Sequence, residues 1–178
     1  MGDVVRVVVR FRRRVWAEEA FARRRHAADL DQLAFLHTAD DAFSTWWSAY
    51  PDTAPMLVAW CGGPPARELS GSGTSAVAEH VLRTLGRSLG LPPEQVRREV
   101  AQVWTHDWIN DPFSRGVYSY QKVGGADAPR ELARPIGGTL FFAGEASDAS
   151  GGTGTVHGAI ASGARAARQV LRTLGTVQ

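Results

Sequence analysis

Residues 140–174 read LFFAGEASDASGGTGTVHGAIASGARAARQVLRTL, and this stretch decides the predicted fold. The apolar run 140–143 ends at a glycine, which is typical of a short strand covered on both faces. Residues 147–154 carry almost no side-chain bulk, so their backbone can approach a ligand closely. Thr153 or Thr155 can cap a helix that begins beside this loop.

The helix predicted after the loop has an apolar face and a basic face. The apolar residues recur three and four positions apart, as in a buried helix stripe; they are Ile160, Gly163, Ala167, Val170, Leu171 and Leu174. Arg165, Arg168 and Arg172 fall on the other face and toward the C-terminus, where the helix dipole favours cations. We therefore expect the apolar stripe to be buried.

A strand, a glycine-rich turn and a helix N-terminus together can bind an anionic or electron-accepting group. The first N–H groups of a helix lack partners within the helix, and the positive end of the dipole lies beside them. An ordinary strand–loop–helix unit with a flexible loop gives the same pattern, so the pattern alone leaves both interpretations open.

The residue identities in this stretch are more specific than its pattern of apolar and small residues. LFFAGE, followed after a short loop by TVHGA and SG-x-R-A-A, resembles the C-terminal flavin-binding segment of the FAD-dependent amine oxidases. That family includes monoamine oxidases, polyamine and spermine oxidases, and the flavin-type histone lysine demethylases. The matching residues are Phe142, Ala143, Gly144, Glu145, Thr155, Val156, His157, Gly158, Ala159, Ser162, Gly163, Arg165 and Ala167.

The resemblance implies cofactor-binding roles for part of this segment. The residues concerned are Gly144, Glu145, Thr155, Val156, His157 and Gly158. The helix would place N–H groups at flavin N1 and O2, where negative charge grows on reduction. Glu145 would accept hydrogen bonds in the ribityl or pyrophosphate region. Gly158 would allow the ring to approach the helix closely, with close packing against the strand at 140–143 as the alternative.

Residues 108–120, WINDPFSRGVYSY, resemble a second segment of that family, which leads from the substrate domain back to the flavin domain. Trp108 and Tyr118 match its aromatic positions, and Tyr118 would form one wall beside the flavin ring. Val117 stands where monoamine oxidases have the cysteine that bonds to flavin, so the implied FAD is noncovalent. Without the family, the segment would be interpreted as a turn with core aromatics.

The N-terminal segment Val4–Phe11 is β-branched and apolar, which predicts a strand. It resembles the family strand whose fifth residue is often a lysine that holds a water at flavin N5. Arg6 occupies that position here, and a guanidinium differs from an ammonium in its planar fork and its fixed charge. The resemblance thus implies Arg6 and Tyr118 as the catalytic residues, while Arg6 could also be a surface charge on an edge strand.

The middle of the chain is predicted to hold more strands and one long helix. Periodicity predicts strands at residues 33–37, 56–61 and 99–104, a helix over Thr74–Leu89 and a helical turn at 92–97. An aromatic cluster lies between the first two of these strands, formed by Phe43, Trp46, Trp47 and Tyr50. Such a cluster could line a substrate passage, but more often it is core packing.

The length and composition limit the possible classes. A chain of 178 residues suits one domain, or two small incomplete ones. No apolar run approaches the roughly 20 residues of a membrane span, and the start of the chain leads directly into a strand, so we expect no signal peptide. The only cysteine, Cys61, argues against an internal disulfide or a cysteine-rich metal site. We therefore expect a cytoplasmic protein with no metal and no membrane association.

The net charge is +2, and the basic residues are 19 arginines and the single lysine Lys122. Eight of the arginines lie between Arg6 and Arg25, a pattern that fits a nucleic-acid patch or a solvated face. Acidic residues are nearly as numerous and no nucleic-acid motif is present, which favours the solvated face. Residues 17–31, charged and rich in alanine, are predicted to form a short helix or a variable loop.

The resemblance spans almost the whole chain and implies a mixed α/β fold in two parts. Residues 1–107 would form part of a substrate-binding domain with a mixed sheet, and residues 108–178 the C-terminal part of the FAD-binding domain. The Gly-x-Gly-x-x-Gly βαβ unit of the family's flavin domain has no counterpart here. The chain therefore resembles only the C-terminal portion of the family's enzymes.

The activity that the resemblance implies is flavin-dependent oxidation of a small-molecule amine to an imine and then an aldehyde, with release of hydrogen peroxide. The implied partner is a separate chain, or a missing N-terminal half, that carries the βαβ unit. Two alternatives remain: a non-catalytic remnant or interaction module that no longer binds FAD, and related flavin chemistry such as desaturation. Thr155 replaces a second aromatic wall of some family members, which leaves the shape of the amine pocket open.

Overall fold

The computed structural model describes residues 1–18, 30–39 and 42–175. The chain divides into two compact units: Asp3–Gly116 forms one, and Met1–Gly2 with Val117–Gln178 forms the other. The boundary predicted between residues 107 and 108 concerns substrate and flavin domains, and it stays a prediction. Most of the charged segment 17–31 lies outside the described residues.

In the described residues, the unit Asp3–Gly116 contains a five-stranded sheet and three α-helices. The strands are β1 (Val4–Phe11), β2 (Phe35–His37), β3 (Thr45–Ser48), β4 (Met56–Gly62) and β5 (Val100–Thr105). The helices are α1 (Pro64–Leu69), α2 (Thr74–Leu89) and α3 (Pro93–Glu99). The strand order is β2-β3-β4-β1-β5, and each of the pairings is antiparallel, so the sheet predicted as mixed is antiparallel in the described residues.

The core of this unit lies between one face of the sheet and α2. Side chains alternate between faces along a strand, and in β1 this alternation buries Val5, Val7 and Val9. The helix contributes residues four positions apart, namely Val77, Val81, Leu85 and Leu89. Burying each such side chain stabilises the fold by roughly 1.5–3 kcal/mol. The predictions for β1 and α2 are confirmed with the bounds given by the sequence.

The aromatic cluster divides between the two faces of the sheet, because it includes a strand that the sequence did not predict. Trp46 lies on β3 and is fully buried, as is Phe43, so these two belong to the core. Trp47, the next residue on β3, points to the opposite face and is partly exposed. Tyr50 is 48% exposed. The core interpretation is therefore correct for half of the cluster.

The unit formed by Met1–Gly2 and Val117–Gln178 contains α4 (Ala128–Leu132) and α5 (Val156–Thr173). The predicted strand at residues 140–143 is wrong, since the structure assigns it no ladder beyond an isolated bridge between Ile136 and Leu140. Leu140 is 56% exposed and Phe142 is 38% exposed. A buried parallel strand needs neighbouring strands on both sides, and the described residues of this unit supply none.

The predicted buried face of α5 is also wrong. The helix buries Gly158, Ser162 and Ala166, which lie four positions apart. Their small side chains let the helix backbone come close to the preceding loop. Ile160 and Leu174, predicted as core residues, are 69% and 70% exposed. No helix among the described residues is long and apolar enough to span a membrane.

Candidate functional site

The loop that precedes α5 is held in place by Glu145. Ser119 N–H donates to Glu145 Oε1 at 2.8 Å, and Ser119 Oγ and Gly154 N–H donate to Oε2, each at 2.6 Å. Desolvation raises the pKa of Glu145, but the bonds from Ser119 and Gly154 outweigh it, so the pKa lies below its ordinary value. The carboxylate therefore joins the two ends of the loop to the segment after Tyr118.

A second carboxylate, Asp148, shapes the inside of the loop. Ser150 Oγ donates to it at 2.8 Å, and Gly152 N–H donates to Oδ2 at 2.6 Å. The hydrogen bond from Ser150 is the largest cause of the lowered pKa of Asp148, whose side chain is almost fully buried. Asp148 was not among the predicted site residues, although Asp followed by Ser and Gly at these spacings is a known turn signal.

The N-terminus of α5 presents backbone donors beside this loop. Thr155 is the N-cap, and its Oγ1 accepts from Gly158 N–H at 3.1 Å. The N–H groups of Val156 and His157 have no acceptor within the part of the chain that the structure describes. These two donors lie at the positive end of an 18-residue helix. The arrangement favours an anionic or electron-rich group at this position.

Gly158 packs against a part of the loop that the sequence did not predict. A Cβ at this position would lie 2.0 Å from Gly152 O and 2.6 Å from Gly152 C. Gly158 is therefore required because the helix packs on the backbone of Gly152, and not on the segment 140–143 as the predicted alternative has it. Its predicted place beside a flavin ring stays a prediction. Sequence reasoning found the glycine that permits close approach, but it could not identify the group that approaches.

Two residues of α5 connect the helix to residues 133–147. Ser162 is 1% exposed, and its Oγ accepts from Gly144 N–H at 2.9 Å. Arg165 donates to Phe142 O at 2.9 Å and to Ala133 O at 3.0 Å. Arg165 was predicted on the helix face opposite the core, but it is partly buried and binds backbone carbonyls. These contacts hold Gly144 and Glu145 against the helix, so most of the predicted cofactor-binding residues are brought together.

Tyr118 lies in the same unit as Glu145 and α5. Gly2 N–H donates to Tyr118 O at 2.6 Å, and Val117 N–H donates to Gly2 O at 3.0 Å. A Cβ on Gly2 would lie 3.3 Å from the Tyr118 ring. The start of the chain therefore supports the partly exposed Tyr118 side chain from one side.

Arg6 and Trp108 belong to the unit Asp3–Gly116. The Trp108 ring is 42% exposed and meets the His106 ring edge-on, with centroids 4.4 Å apart. His106 Nε2 lies 3.1 Å from Asp111 Oδ2. Hydrogen bonds from Phe113 N–H and Ser114 N–H are the largest causes of the lowered pKa of Asp111. Asp111 thus organises the turn after Trp108.

Arg6 lies on the face of the sheet opposite the core, which we call the open face. Its residues follow from the strand registers and are Arg6, Val8, Arg10, Phe35, His37, Thr45, Trp47, Met56, Val58, Trp60, Gln102 and Trp104. The guanidinium of Arg6 lies 5.9 Å from the centre of the Trp47 ring, and that of Arg10 lies 5.8 Å from the Trp104 ring. The sequence did not predict that tryptophans of three separate strands, Trp47, Trp60 and Trp104, would converge here.

The fold is that of an α/β protein. One unit presents the capped N-terminus of α5, which suits an electron-accepting group, and the other unit presents the aromatic open face of the sheet. A family model described as flavin containing amine oxidoreductase matches residues 1–171, and the chain belongs to that family. The predicted fold class is confirmed by a solved structure of putrescine oxidase with putrescine bound. It superposes with a TM-score of 0.70 at 20% identity and covers 95% of this chain.

Curated relatives match over the same region. Lysine-specific histone demethylase 1 homolog 3 of Arabidopsis thaliana is 34% identical over 132 residues, which are 74% of this chain and 8% of the relative. Polyamine oxidase 5 of Oryza sativa subsp. japonica is 36% identical over 123 residues, which are 68% of this chain and 24% of the relative. The chain also covers only 35% of the putrescine oxidase chain.

Proposed function

We propose that this chain takes part in the flavin-dependent oxidation of an amine, with a noncovalent FAD. The observation that carries the proposal is the N-terminus of α5, where Val156 and His157 offer N–H donors without acceptors in the described chain. Membership of the flavin-containing family supports the same cofactor. The residues fit the ring end of a flavin, because backbone donors at a helix terminus stabilise negative charge without reorganisation.

The protein residues would position and polarise, while the bound flavin would supply the two-electron acceptor. The substrate carbon next to the amine nitrogen would give a hydride equivalent to this acceptor and the nitrogen would lose a proton, which leaves an imine. Water would hydrolyse the imine to an aldehyde, and the same two electrons with two protons would reduce dioxygen to hydrogen peroxide. In this proposal the N–H groups of Val156 and His157 would hold the flavin and Tyr118 would line the amine side. The role of Arg6 as a donor to water stays the prediction made from the resemblance.

The proposal includes a second polypeptide, or a further segment, that carries the dinucleotide-binding βαβ unit. Two observations in the unit containing α5 support it. The apolar stripe of α5 is exposed, with Ile160 at 69%, Leu171 at 40% and Leu174 at 70%. The segment around Leu140 lies open where the sequence pattern predicts a covered strand. Exposed apolar stripes of this kind are typical of surfaces that another element covers.

The test is to isolate the chain from its native source under mild conditions and to examine the assembly that contains it. We expect a flavin absorbance band in stoichiometric amount and amine-dependent peroxide release. A chain isolated without flavin, in an assembly that releases no peroxide with any amine, would support the non-catalytic interaction module. Flavin without peroxide release would favour related flavin chemistry such as desaturation.

A further inference from the structure

The open face of the sheet carries an unusual combination of aromatic rings and positive charge. Trp47, Trp60 and Trp104 supply three of the six tryptophans in the chain. Phe35 and Trp104 remain 65% and 44% exposed. Arg6 and Arg10 are the charged side chains of this face, since none of its residues is an aspartate or a glutamate.

The Arg6 side chain contacts an aromatic ring, and no carboxylate in the part of the chain that the structure describes pairs with its charge. Its guanidinium carbon lies over the Trp47 ring, 5.9 Å from the ring centre, and the residue is exposed. Within the described residues, no carboxylate or carbonyl accepts a hydrogen bond from this side chain. The Arg6 guanidinium is therefore held beside an aromatic ring, and no group among the described residues competes with a ligand for its donors.

Arg10 extends the positive charge along the same strand. It lies four residues from Arg6, or about 13 Å at the usual rise per residue. Its guanidinium lies over the Trp104 ring and donates to the neutral Gln102 Oε1 at 2.8 Å, so no carboxylate in the described parts of the chain compensates its charge on this face. A guanidinium keeps its charge throughout the physiological pH range.

We propose that the amine received by this face also carries a carboxylate, as an apolar or aromatic α-amino acid does, and that Arg6 binds this carboxylate. This inference rests on the proposed function only for the oxidation step; the binding step requires neither flavin nor a partner. Two fixed positive charges raise the free energy of a polycationic amine on this face. A carboxylate instead gains charge-assisted, bidentate hydrogen bonds from the Arg6 fork, while its apolar part packs on the tryptophan rings.

The test compares L-phenylalanine with phenethylamine, which lacks the carboxylate. Each is titrated at neutral pH into the 178-residue chain without flavin, and binding is followed through the indole N–H signals of the tryptophans in NMR spectra. We expect a dissociation constant about tenfold lower for L-phenylalanine, equivalent to about 1.4 kcal/mol. We expect 3-phenylpropionate, which keeps the carboxylate and loses the ammonium, to bind at least as tightly as L-phenylalanine.

The matched variants are Arg6→Gln and Arg98→Gln. Arg98 is an exposed arginine on α3 that does not belong to the open face. Arg6→Gln should abolish the preference for L-phenylalanine, and Arg98→Gln should retain it, with circular dichroism showing that both variants are folded. Three results would each overturn the proposal: phenethylamine binding as tightly as L-phenylalanine, no saturable binding of either carboxylate, or an equal effect of the two variants. None of them bears on whether the assembled protein holds a flavin.

Discussion

The hydroxyl of Ser162 accepts a hydrogen bond from Gly144 N–H at 2.9 Å and donates one to Ala159 O at 2.7 Å. The side chain is 1% exposed, so water cannot replace either bond. The Ser162 hydroxyl therefore supplies the hydrogen-bond acceptor that Gly144 N–H, just before the loop, would otherwise lack. This contact explains why a polar residue occupies the most deeply buried stripe of α5.

Ser162→Ala leaves the partly buried Gly144 N–H without its partner. We expect the free energy of unfolding to fall by about 1–3 kcal/mol, the usual penalty when a donor shielded from water loses its partner. Urea denaturation followed by circular dichroism measures it. Ser88→Ala is the control, because Ser88 Oγ only donates to Thr84 O within α2. An equal effect of the two substitutions would contradict the role given to Ser162.

Gly158 and Gly163 lie on the same helix, and we predict that replacing each with alanine changes the stability in opposite directions. A Cβ at Gly158 would lie 2.0 Å from Gly152 O, whereas a Cβ at Gly163 would meet nothing within 4 Å. Gly158→Ala should destabilise the protein by about 3 kcal/mol or more, as overpacking against rigid backbone does. Gly163→Ala should stabilise it by roughly 0.5–1 kcal/mol, since glycine is unfavourable within helices. Thermal denaturation of both variants checks the sign, and changes of the same sign would contradict the packing described.

Glu145 predicts a pH dependence of stability. The pKa of Glu145 in the folded protein lies below its ordinary value. Its contribution to the free energy of unfolding is therefore fully present above the unfolded-state pKa of about 4.3, and it is lost as the pH falls through the folded-state pKa. We expect Glu145→Gln to flatten the loss of stability between about pH 5 and pH 3. Urea midpoints measured across this range for both proteins test it. Parallel curves would mean that Glu145 does not supply the pH dependence.

Arg6→Lys tests the predicted position of Arg6 beside the flavin. In a reconstituted assembly we expect the rate of reoxidation by oxygen to rise by roughly tenfold, about 1.4 kcal/mol in activation free energy. The reason is that an ammonium holds a water as a compact donor and can lose a proton, whereas a guanidinium does neither as readily. Stopped-flow spectroscopy measures the rate, with Arg98→Lys as the control. Unchanged rates in both variants would show that the position is wrong.

The isolated chain should bind FAD weakly or not at all. The βαβ unit of the family supplies contacts to the adenosine and pyrophosphate, and the chain covers 35% of the putrescine oxidase chain. Calorimetric titration of FAD into the purified chain measures the affinity. A yellow, monomeric chain of 178 residues that retains stoichiometric FAD would contradict this expectation.

The elements that the sequence predicted correctly are those whose evidence is local. The alternation of Val5, Val7 and Val9 and the helical spacing of Val77, Val81 and Leu85 each identify a buried face without knowledge of a partner. The run at residues 140–143 is just as apolar, but whether it becomes a strand depends on neighbouring strands that a local pattern cannot reveal. Its prediction failed for that reason.

The candidate site was predicted in its location but not in its internal contacts. Glu145 and Thr155 were identified because they match residues of the family motif. The partners of Glu145 at Ser119, and the approach of Gly158 to Gly152, depend on how the loop turns. That path is set by the buried carboxylate of Asp148, whose role only the three-dimensional arrangement makes visible.

The hydrogen bonds of Glu145 and Asp148 have a consequence for binding kinetics. A glycine-rich loop that ordered itself only around a ligand would lose much conformational entropy at the moment of binding. Here the two carboxylates fix the loop during folding, before any ligand arrives. A ligand that reaches the N-terminus of α5 therefore meets a preorganised surface, and its association rate should be set by diffusion and charge and not by loop closure.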